Sequence, residues 1–224
     1  MVYVLSDLHG DDKRYEAFVT EKLQDDDTAY ILGDAIDRQT GGIKIIRDIM
    51  KRPNVHLILG NHEYMMMKAL SEEAIHGDRI TWWSNGGIDT EVEYRKQLPE
   101  EQKQILEFLD SCPDHVDLCV SGRKFHLVHA WPADNTYDRI WLRRYWFEKN
   151  PIPGTTVIIG HTVTIQIPNN FRDAMNGEHI CIYPKPEDRG RLELGYIAID
   201  CGCGHPVPSR LAVLRLDDMA EFYY

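Results

Sequence analysis

The chain has 224 residues, enough for one large domain with a substantial core, and a formal net charge of −11 at pH 7. This acidic balance argues against a protein that binds duplex nucleic acid through its phosphate backbone. The five cysteines are an odd number without the spacing of a disulfide framework, which favours reduced thiols and a cytoplasmic protein. No apolar run reaches the ~20 residues that a membrane span needs, so we expect no membrane association.

Short apolar runs rich in β-branched and aromatic residues predict eight strands. The runs are bounded by Gly, Pro or Asp, and several are typical of strands that are buried on both faces. They cover residues 2–5, 30–32, 55–59, 125–128, 157–159, 180–183, 196–199 and 211–216.

Apolar residues at helical spacing predict helices between and after the first three strands. Residues 14–23 and 42–50 each place their apolar side chains on one stripe. The clearest helix covers residues 99–112, where Pro99 suits the first turn. Pro113 then ends this helix.

The order of these elements predicts an α/β (α+β) fold with a central β-sandwich of two mixed sheets flanked by helices. The first half of the chain alternates strands and helices, whereas the second half consists mostly of strands and long loops. No repeat, low-complexity segment or Gly/Ser linker divides the chain, so residues 1–224 are expected to form a single domain. We expect a helical insertion at about residues 64–112, of which residues 78–95 cap one side of the functional site.

Polar residues of the kinds that bind metals follow six of the apolar runs at a distance of one or two residues. In open α/β sheets the loops beyond the carboxyl ends of the strands converge on the ligand site, so these residues are expected to meet there. The six segments are Asp7-Leu8-His9-Gly10, Gly33-Asp34-Ala35-Ile36-Asp37-Arg38, Gly60-Asn61-His62-Glu63, His129-Ala130, Gly160-His161-Thr162 and Asp200-Cys201-Gly202.

Six residues of these segments form the predicted ligand set for two divalent metal ions. Carboxylate, amide and imidazole donors without a thiolate suit Mn²⁺, Fe²⁺ or Zn²⁺. Asp34 follows a central strand and has a carboxylate, the group that can bridge two ions. Ions ~3.5–4 Å apart would share a water and lower its pKa enough to give a hydroxide nucleophile. The predicted ligands are Asp7, His9, Asp34, Asn61, His129 and His161.

His62 is interpreted as a proton donor because it directly follows the predicted ligand Asn61 and cannot easily face the same ion. A free imidazole beside the metals suits protonation of a leaving alkoxide. Asp37 would fix the tautomer of this ring and keep it cationic. The guanidinium of Arg38, the next residue, matches the oxygens of a phosphate group.

The remaining histidines and the Asp200 segment are interpreted as structural. Asp200 is expected to support a turn, and Cys201 and Cys203 to be small buried residues of a glycine turn. A lone histidine at a strand end is more often a satisfied polar residue than a ligand. This interpretation covers His56, His76, His115, His126, His179 and His205.

The order of D-x-H-G, G-D-x-x-D-R, G-N-H-E, H-A and G-H-T resembles the phosphoprotein-phosphatase branch of the calcineurin-like metallophosphoesterases. The small bacterial and bacteriophage-lambda-type serine/threonine protein phosphatases are the most similar, and the resemblance runs from Asp7 to about Asp200. It implies a metallophosphoesterase β-sandwich with two metal ions, Mn²⁺ being favoured in vitro. Asp7, His9 and Asp34 would hold the first ion. The second would be held by Asp34, Asn61, His129 and His161.

The resemblance also implies which residues act on the substrate. His62 with Asp37 would be the general acid, and Arg38 and Asn61 would bind the phosphate group. A second phosphate-binding arginine is expected in a Trp-x-Arg stretch, which Trp141-Leu142-Arg143 matches, so Arg143 is preferred over Arg144. The implied activity is hydrolysis of a phosphomonoester by in-line attack of a metal-bridging hydroxide. The expected partner is therefore a phosphorylated protein or a small phosphate ester.

Two alternative functions and three departures from the family pattern stay open. A symmetric dinucleoside-polyphosphate (diadenosine tetraphosphate) hydrolase has a similar motif set, but those enzymes commonly carry Trp where Thr162 stands. A catalytically inactive metal-binding regulatory module is the other alternative, although no catalytic position is substituted.

Gln39 and Trp131 replace family glycines and are expected to change the pocket. Ser6 replaces a third family glycine, at the start of the first motif.

Overall fold

The computed structural model describes residues 1–143, 152–167, 179–183, 195–205 and 209–224. Its strands lie where the sequence predicts them, with two further strands, at residues 115–120 and 220–223, that the sequence analysis missed. In chain order they are β1 (Val2–Leu5), β2 (Thr28–Ile31), β3 (Val55–Leu57), β4 (His115–Val120), β5 (Arg123–Val128), β6 (Thr156–Ile159), β7 (Cys181–Tyr183), β8 (Tyr196–Ala198), β9 (Ala212–Arg215) and β10 (Ala220–Tyr223).

The described strands form two five-stranded sheets. The first has the order β10-β9-β1-β2-β3, with β1, β2 and β3 parallel and β9 antiparallel to β1. The second has the order β4-β5-β6-β8-β7, with β5, β6 and β8 parallel and the two edge strands antiparallel to their neighbours. Both sheets are mixed, as predicted.

The core between the sheets is built from alternate residues of the strands, because successive side chains of a strand point to opposite faces. Val4 packs between the sheets with Leu127 and Ile197. Its neighbour Leu5 packs on the other face, in the cluster that contains Phe18 from the helical side. The predicted β-sandwich flanked by helices is therefore confirmed.

In the described ranges, two α-helices connect the first three strands, four form the segment between β3 and β4, and one lies between β5 and β6. The predicted helices at residues 14–23, 42–50 and 99–112 are present with boundaries shifted by a few residues. In chain order the α-helices are α1 (Asp12–Glu21), α2 (Gly42–Ile49), α3 (Asn61–Leu70), α4 (His76–Trp82), α5 (Ile88–Arg95), α6 (Pro99–Ser111) and α7 (Thr136–Trp141). None of the helices in the described ranges is long and apolar enough to cross a membrane.

Candidate metal centre

The loops that follow the parallel strands of both sheets meet at one edge of the sandwich. In the first sheet, the backbone N–H of Asp7 donates to the carbonyl of Gly33 at 3.2 Å. In the second sheet, the N–H of Gly160 donates to the carbonyl of His129 at 2.8 Å. The N–H of His161 then donates to the Asp7 carboxylate at 2.9 Å, which joins the two sheets at this edge. All six predicted ligands are buried there.

Backbone strain is concentrated at this edge. Of the described non-glycine residues, eight have a positive φ, and six of these are predicted site residues. The left-handed conformation costs an L-residue roughly 1–2 kcal/mol, so it persists only where the surrounding structure imposes it. The six residues, with their φ angles, are Asp7 (53°), His9 (45°), Asp34 (54°), Asp37 (72°), Arg38 (66°) and His161 (63°).

The first potential metal group contains His9, Asp34 and His62, whose ligand atoms lie within 4.8 Å of one another. His9 Nδ1 lies 3.3 Å from the carbonyl of Ile36, which favours a proton on Nδ1 and leaves the Nε2 lone pair free. That Nε2 atom lies 3.8 Å from carboxylate oxygens of both Asp7 and Asp34. Burial, followed by the charge of His62, lowers the pKa of His9 well below its ordinary value, so this ring is neutral.

The second potential metal group contains Asp34, His129 and His161. His129 Nδ1 lies 2.5 Å from the carbonyl of Leu32, so Nδ1 holds the proton and Nε2 is a lone-pair donor. Around this Nε2 atom lie Asn61 Oδ1 at 2.9 Å, His161 Nδ1 at 3.2 Å and Asp34 Oδ1 at 3.5 Å. Electron-pair donors therefore face one another in a buried space, an arrangement that a cation stabilises. The donor set fits a divalent metal ion.

Asp34 belongs to both groups, as the prediction of a shared ligand requires. Burial alone would raise the pKa of Asp34, but the neighbouring imidazoles, His129 first, lower it below its ordinary value. Its Oδ1 atom also accepts the backbone N–H of His62 at 3.0 Å. The carboxylate is therefore anionic and fixed in place between the two groups.

Asp7 and Asn61 are the two predicted ligands that neither group includes, and Asp7 lies beside the first group. One of its carboxylate oxygens faces His9, and the other accepts hydrogen bonds from the Ser6 hydroxyl and the His161 N–H. Burial raises the pKa of Asp7 above its ordinary value. The family departure at Ser6 thus supplies a hydrogen-bond donor to a predicted ligand.

His62 lies in contact with Asp37, the residue that the sequence analysis pairs with it. Its Nδ1 atom lies 2.7 Å from Asp37 Oδ2, and its Nε2 atom lies 3.8 Å from Asp34 Oδ2. Burial alone would lower the pKa of His62, but the charges of Asp34 and Asp37 and the hydrogen bond to Asp37 raise it above its ordinary value. The ring can therefore hold a second proton on Nε2, facing the metal groups.

Both predicted phosphate-binding arginines lie at this edge and are exposed. Arg38 Nη1 donates to His205 Nε2 at 2.7 Å, and Arg143 Nη1 donates to the hydroxyl of Thr162. Neither guanidinium forms a salt bridge with a carboxylate of the described residues, so both are available to an anion. Arg144 lies outside the described residues.

The sequence analysis missed the part that His205 and Glu63 take in this site. His205, interpreted as structural, contacts Arg38, and burial followed by the charge of Arg38 lowers its pKa. Glu63 is fully buried, and its carboxylate accepts the N–H groups of Asp34 and Ala35 at 2.8 Å and of Gly60 at 3.1 Å. Burial and the charge of Asp34 raise the pKa of Glu63 to about 7. A glutamate at the third position of a helix is the available signal, since it often caps the first turn.

The Asp200 segment lies next to the site without joining either metal group. Asp200 is buried, and its Oδ1 atom accepts the N–H of Gly202 at 2.9 Å, as expected for a residue that supports a turn. Cys201 and Cys203 are buried. Burial raises the pKa of the Cys203 thiol to about 12, so it stays protonated.

Comparison with known proteins places this site in a family. The model of the calcineurin-like phosphoesterase family matches residues 1–188. The chain belongs to the calcineurin-like phosphoesterases. These are phosphoester hydrolases that bind divalent metals, and the potential metal groups of this phosphoesterase lie within the matched residues. No curated protein matches its sequence.

Solved structures support the fold of this phosphoesterase. A candidate diadenosine tetraphosphatase has 15% sequence identity and a TM-score of 0.61, with 100% of this chain and 92% of that chain covered. A metallophosphoesterase from Sphaerobacter thermophilus has 14% identity and a TM-score of 0.59, with 100% and 86% covered. A cold-active protein-tyrosine phosphatase of a psychrophilic Shewanella species has 12% identity and a TM-score of 0.53, with 99% and 79% covered. At such identities the similarity concerns the fold alone.

Proposed function

We propose that this phosphoesterase hydrolyses phosphomonoesters with two divalent metal ions, and that it is a serine/threonine protein phosphatase. The observation that carries the proposal is the position of Asp34. Its carboxylate belongs to both potential metal groups and lies 3.8 Å from His62 Nε2, the atom that would carry the proton for the leaving group.

The metal ligands in this proposal are divided between two ions that share Asp34. Asp7 and His9 would complete the first set, and Asn61, His129 and His161 the second. Two divalent cations would supply a water nucleophile of lowered pKa and positive charge opposite the phosphate oxygens. Mn²⁺ is the expected ion in vitro, and Fe²⁺ and Zn²⁺ suit the same donors.

His62 is assigned to proton donation although it lies near enough to Asp34 to bind a metal. A histidine that binds a metal must be neutral, whereas the carboxylates of Asp34 and Asp37 favour the protonated form of His62. Asp37 holds Nδ1–H, so the proton on Nε2 is the one that the ring can release. Its transfer to the departing alkoxide oxygen would let the serine or threonine leave as a neutral alcohol.

Arg38 and Arg143 would hold the phosphate group. Both guanidiniums are exposed, with Arg38 next to His205 and Arg143 next to Thr162. Paired N–H donors match phosphate oxygens and offset the negative charge of the transition state. The amide of Asn61 would add a further contact to the phosphate group.

Hydrolysis of a symmetric dinucleoside polyphosphate is the second candidate function, because one feature of the site favours it. Tyr137 and Trp141 lie 6.1 Å apart between ring centroids at an angle of 32°, and Trp141 meets the ring of His161 edge-on at 6.3 Å. Aromatic rings at this position could stack against a nucleobase. Thr162 argues against this candidate, because enzymes of that group commonly have Trp there.

Steady-state kinetics with Mn²⁺ would test the proposal. We expect kcat/KM for a phosphoserine peptide to exceed that for diadenosine tetraphosphate by at least ~10-fold. A ratio of ~10-fold in the opposite direction would select the second candidate. His62→Asn should lower kcat by ~10²–10⁴, the usual contribution of a general acid. Absence of turnover with every divalent cation, together with fewer than two bound ions per chain, would favour a regulatory module.

A further inference from the structure

The segment formed by α4, the turn Trp83–Gly87 and α5 contacts two residues of the site. They are Asp37, the partner of His62, and Arg38, the proposed phosphate-binding arginine. The indole N–H of Trp82 donates to both carboxylate oxygens of Asp37, at 3.0 Å from Oδ2 and 3.1 Å from Oδ1. Trp82 and Asp37 are both fully buried. A buried carboxylate needs hydrogen-bond donors, and this indole N–H is shared by both oxygens of Asp37, including the Oδ2 atom that contacts His62.

The same segment also binds the backbone of Asp37 and Arg38. The N–H of Asp37 donates to the hydroxyl of Thr90, and the N–H of Arg38 donates to the carbonyl of Gly86, both at 3.0 Å. Asp37 and Arg38 have φ angles of 72° and 66°. Because this conformation costs energy, contacts from outside the loop must hold it. The segment therefore fixes the backbone as well as the side chain of Asp37.

Two glycines permit this close approach. Gly86 has a φ of 103°, and a Cβ atom there would lie 3.0 Å from the backbone nitrogen of Arg38. A Cβ atom at Gly87 would collide with the indole of Trp82. The pair Gly86-Gly87 thus allows the turn to pack closely against Arg38 and against the Trp82 ring, which contacts Asp37.

We propose that Trp82 is a positioning residue for the proton donor, an inference that rests on the proposed phosphomonoesterase function. Its N–H fixes the plane of the Asp37 carboxylate, so that Oδ2 faces His62 Nδ1 at 2.7 Å. This contact in turn aims His62 Nε2 at the leaving group. Without the indole N–H, the carboxylate loses this restraint and the His62 ring loses its fixed direction.

Trp83 provides a matched control within the same segment. Its indole N–H donates to Glu91 Oε2 at 2.6 Å, and Arg79 lies over its ring at 5.2 Å. Neither partner contacts Asp37 or His62 in the described structure. Trp82→Phe and Trp83→Phe therefore each remove one indole N–H, but only the first should affect proton donation.

The test compares two esters that differ in their need for a proton. Phenyl phosphate has a poor leaving group that gains from protonation, whereas 2,4-dinitrophenolate leaves without it. Trp82→Phe should lower kcat for phenyl phosphate by at least ~10-fold and for 2,4-dinitrophenyl phosphate by less than ~3-fold, with KM unchanged. Trp83→Phe should change neither rate by more than ~2-fold. An equal loss on both esters, or no loss, would overturn the proposal.

Thr90 gives a second variant that does not depend on replacing a buried tryptophan. Thr90→Val removes the oxygen that accepts the Asp37 N–H and should reproduce the selective loss on phenyl phosphate. Thr90→Ser keeps that oxygen and should restore the wild-type ratio of the two rates. If Thr90→Val slowed both esters equally, the segment would have only a structural role.

A measurement without substrate separates this inference from the proposed function. In the wild-type protein, the Nδ1 proton of His62 should give a downfield NMR resonance because it is shared with a carboxylate at 2.7 Å. Trp82→Phe should shift or broaden that resonance, and Trp83→Phe should leave it in place. A wild-type protein inactive on both esters would refute the proposed function, while an unchanged resonance in Trp82→Phe would refute the role of Trp82.

Discussion

The carboxylate of Glu63 accepts the backbone N–H of Asp34 at 2.8 Å, so a side chain from the first turn of α3 fixes the loop that carries the shared carboxylate. The same carboxylate accepts the N–H groups of Ala35 and Gly60. The two loops that follow β2 and β3 are therefore held together by one buried side chain. The position of Asp34 therefore depends on a carboxylate that is itself part of neither metal group.

Glu63→Gln should weaken both the fold and the metal site. The amide NH₂ group would face a backbone N–H, leaving a buried donor without a partner at a cost of ~1–3 kcal/mol. We expect the free energy of unfolding in urea to fall by that amount, and the affinity for Mn²⁺ to fall in calorimetric titration. Glu100→Gln, at an exposed position in the first turn of α6, is the control. Equal stability of the two variants would contradict this role of Glu63.

Asp34→Asn should remove both ions, because its carboxylate is common to the two groups. A neutral amide is a weaker ligand and carries no charge to balance two cations. After gel filtration in Mn²⁺, elemental analysis should give less than about one ion per chain for this variant. His161→Ala, which affects only the second group, should keep about one ion. Retention of the same metal content in both variants would mean that Asp34 is not shared.

Arg38→Lys should weaken phosphate binding without affecting the fold. Lysine keeps the positive charge but loses the paired N–H groups and the contact with His205. We expect KM and the inhibition constant of inorganic phosphate to rise by about 10-fold. Arg215→Lys, which alters a surface salt bridge with Asp218, serves as the control. If both variants bound phosphate as the wild type does, Arg38 would have no part in substrate binding.

Acid should destabilise the protein through Asp114, which accepts hydrogen bonds from His115 at 2.7 Å and from Arg139 at 3.0 Å. Burial alone would raise the pKa of Asp114, but the hydrogen bonds from Thr136, His115 and Arg139 lower it to about 2 from an ordinary 3.8. The folded state therefore binds fewer protons than the unfolded state between these values. Stability from this group is present above pH ~4 and is lost as the pH falls towards 2.

Asp114→Asn tests this pH dependence. With chelator present, the variant should be less stable than the wild type by roughly 2 kcal/mol at pH 6, and the difference should shrink by pH 3. Urea unfolding at the two pH values measures both quantities. A stability difference that does not change between them would show that protonation of Asp114 is not responsible.

The convergence of the six predicted ligands at one edge could be predicted from sequence because their segments follow β-type runs. Parallel strands bring such positions together whatever lies between them, so Asp7 and His161 could be assigned to one edge. The contacts made by Trp82 and His205 could not be predicted in this way. Trp82 reaches Asp37 from a helical segment 45 positions further along the chain, and nothing in local periodicity specifies that approach.

The sequence analysis missed the strands β4 and β10 for a different reason. The strand β4 is only partly buried, and β10 lies at the edge of its sheet with no fully buried residue. Their sequences therefore carry only a weak apolar pattern, although burial alternates along most of β4 as expected for a strand. The role of Glu63 was missed because the sequence analysis did not predict that a helix begins at Asn61, which makes Glu63 the third residue of α3.

The pairing of β9 with β1 has a consequence for the order in which the protein assembles. Val4 lies opposite Leu214, so the strand that leads directly into Asp7 gains one of its two neighbours from a strand near residue 214. Contacts between such distant positions form late, because the chain loses conformational entropy when a long loop closes before the stabilising contacts are made. Of the predicted ligands, Asp7 is the first to be translated. We expect it to be among the last to become fixed, so a ribosome-bound chain that lacks β9 should bind metal poorly.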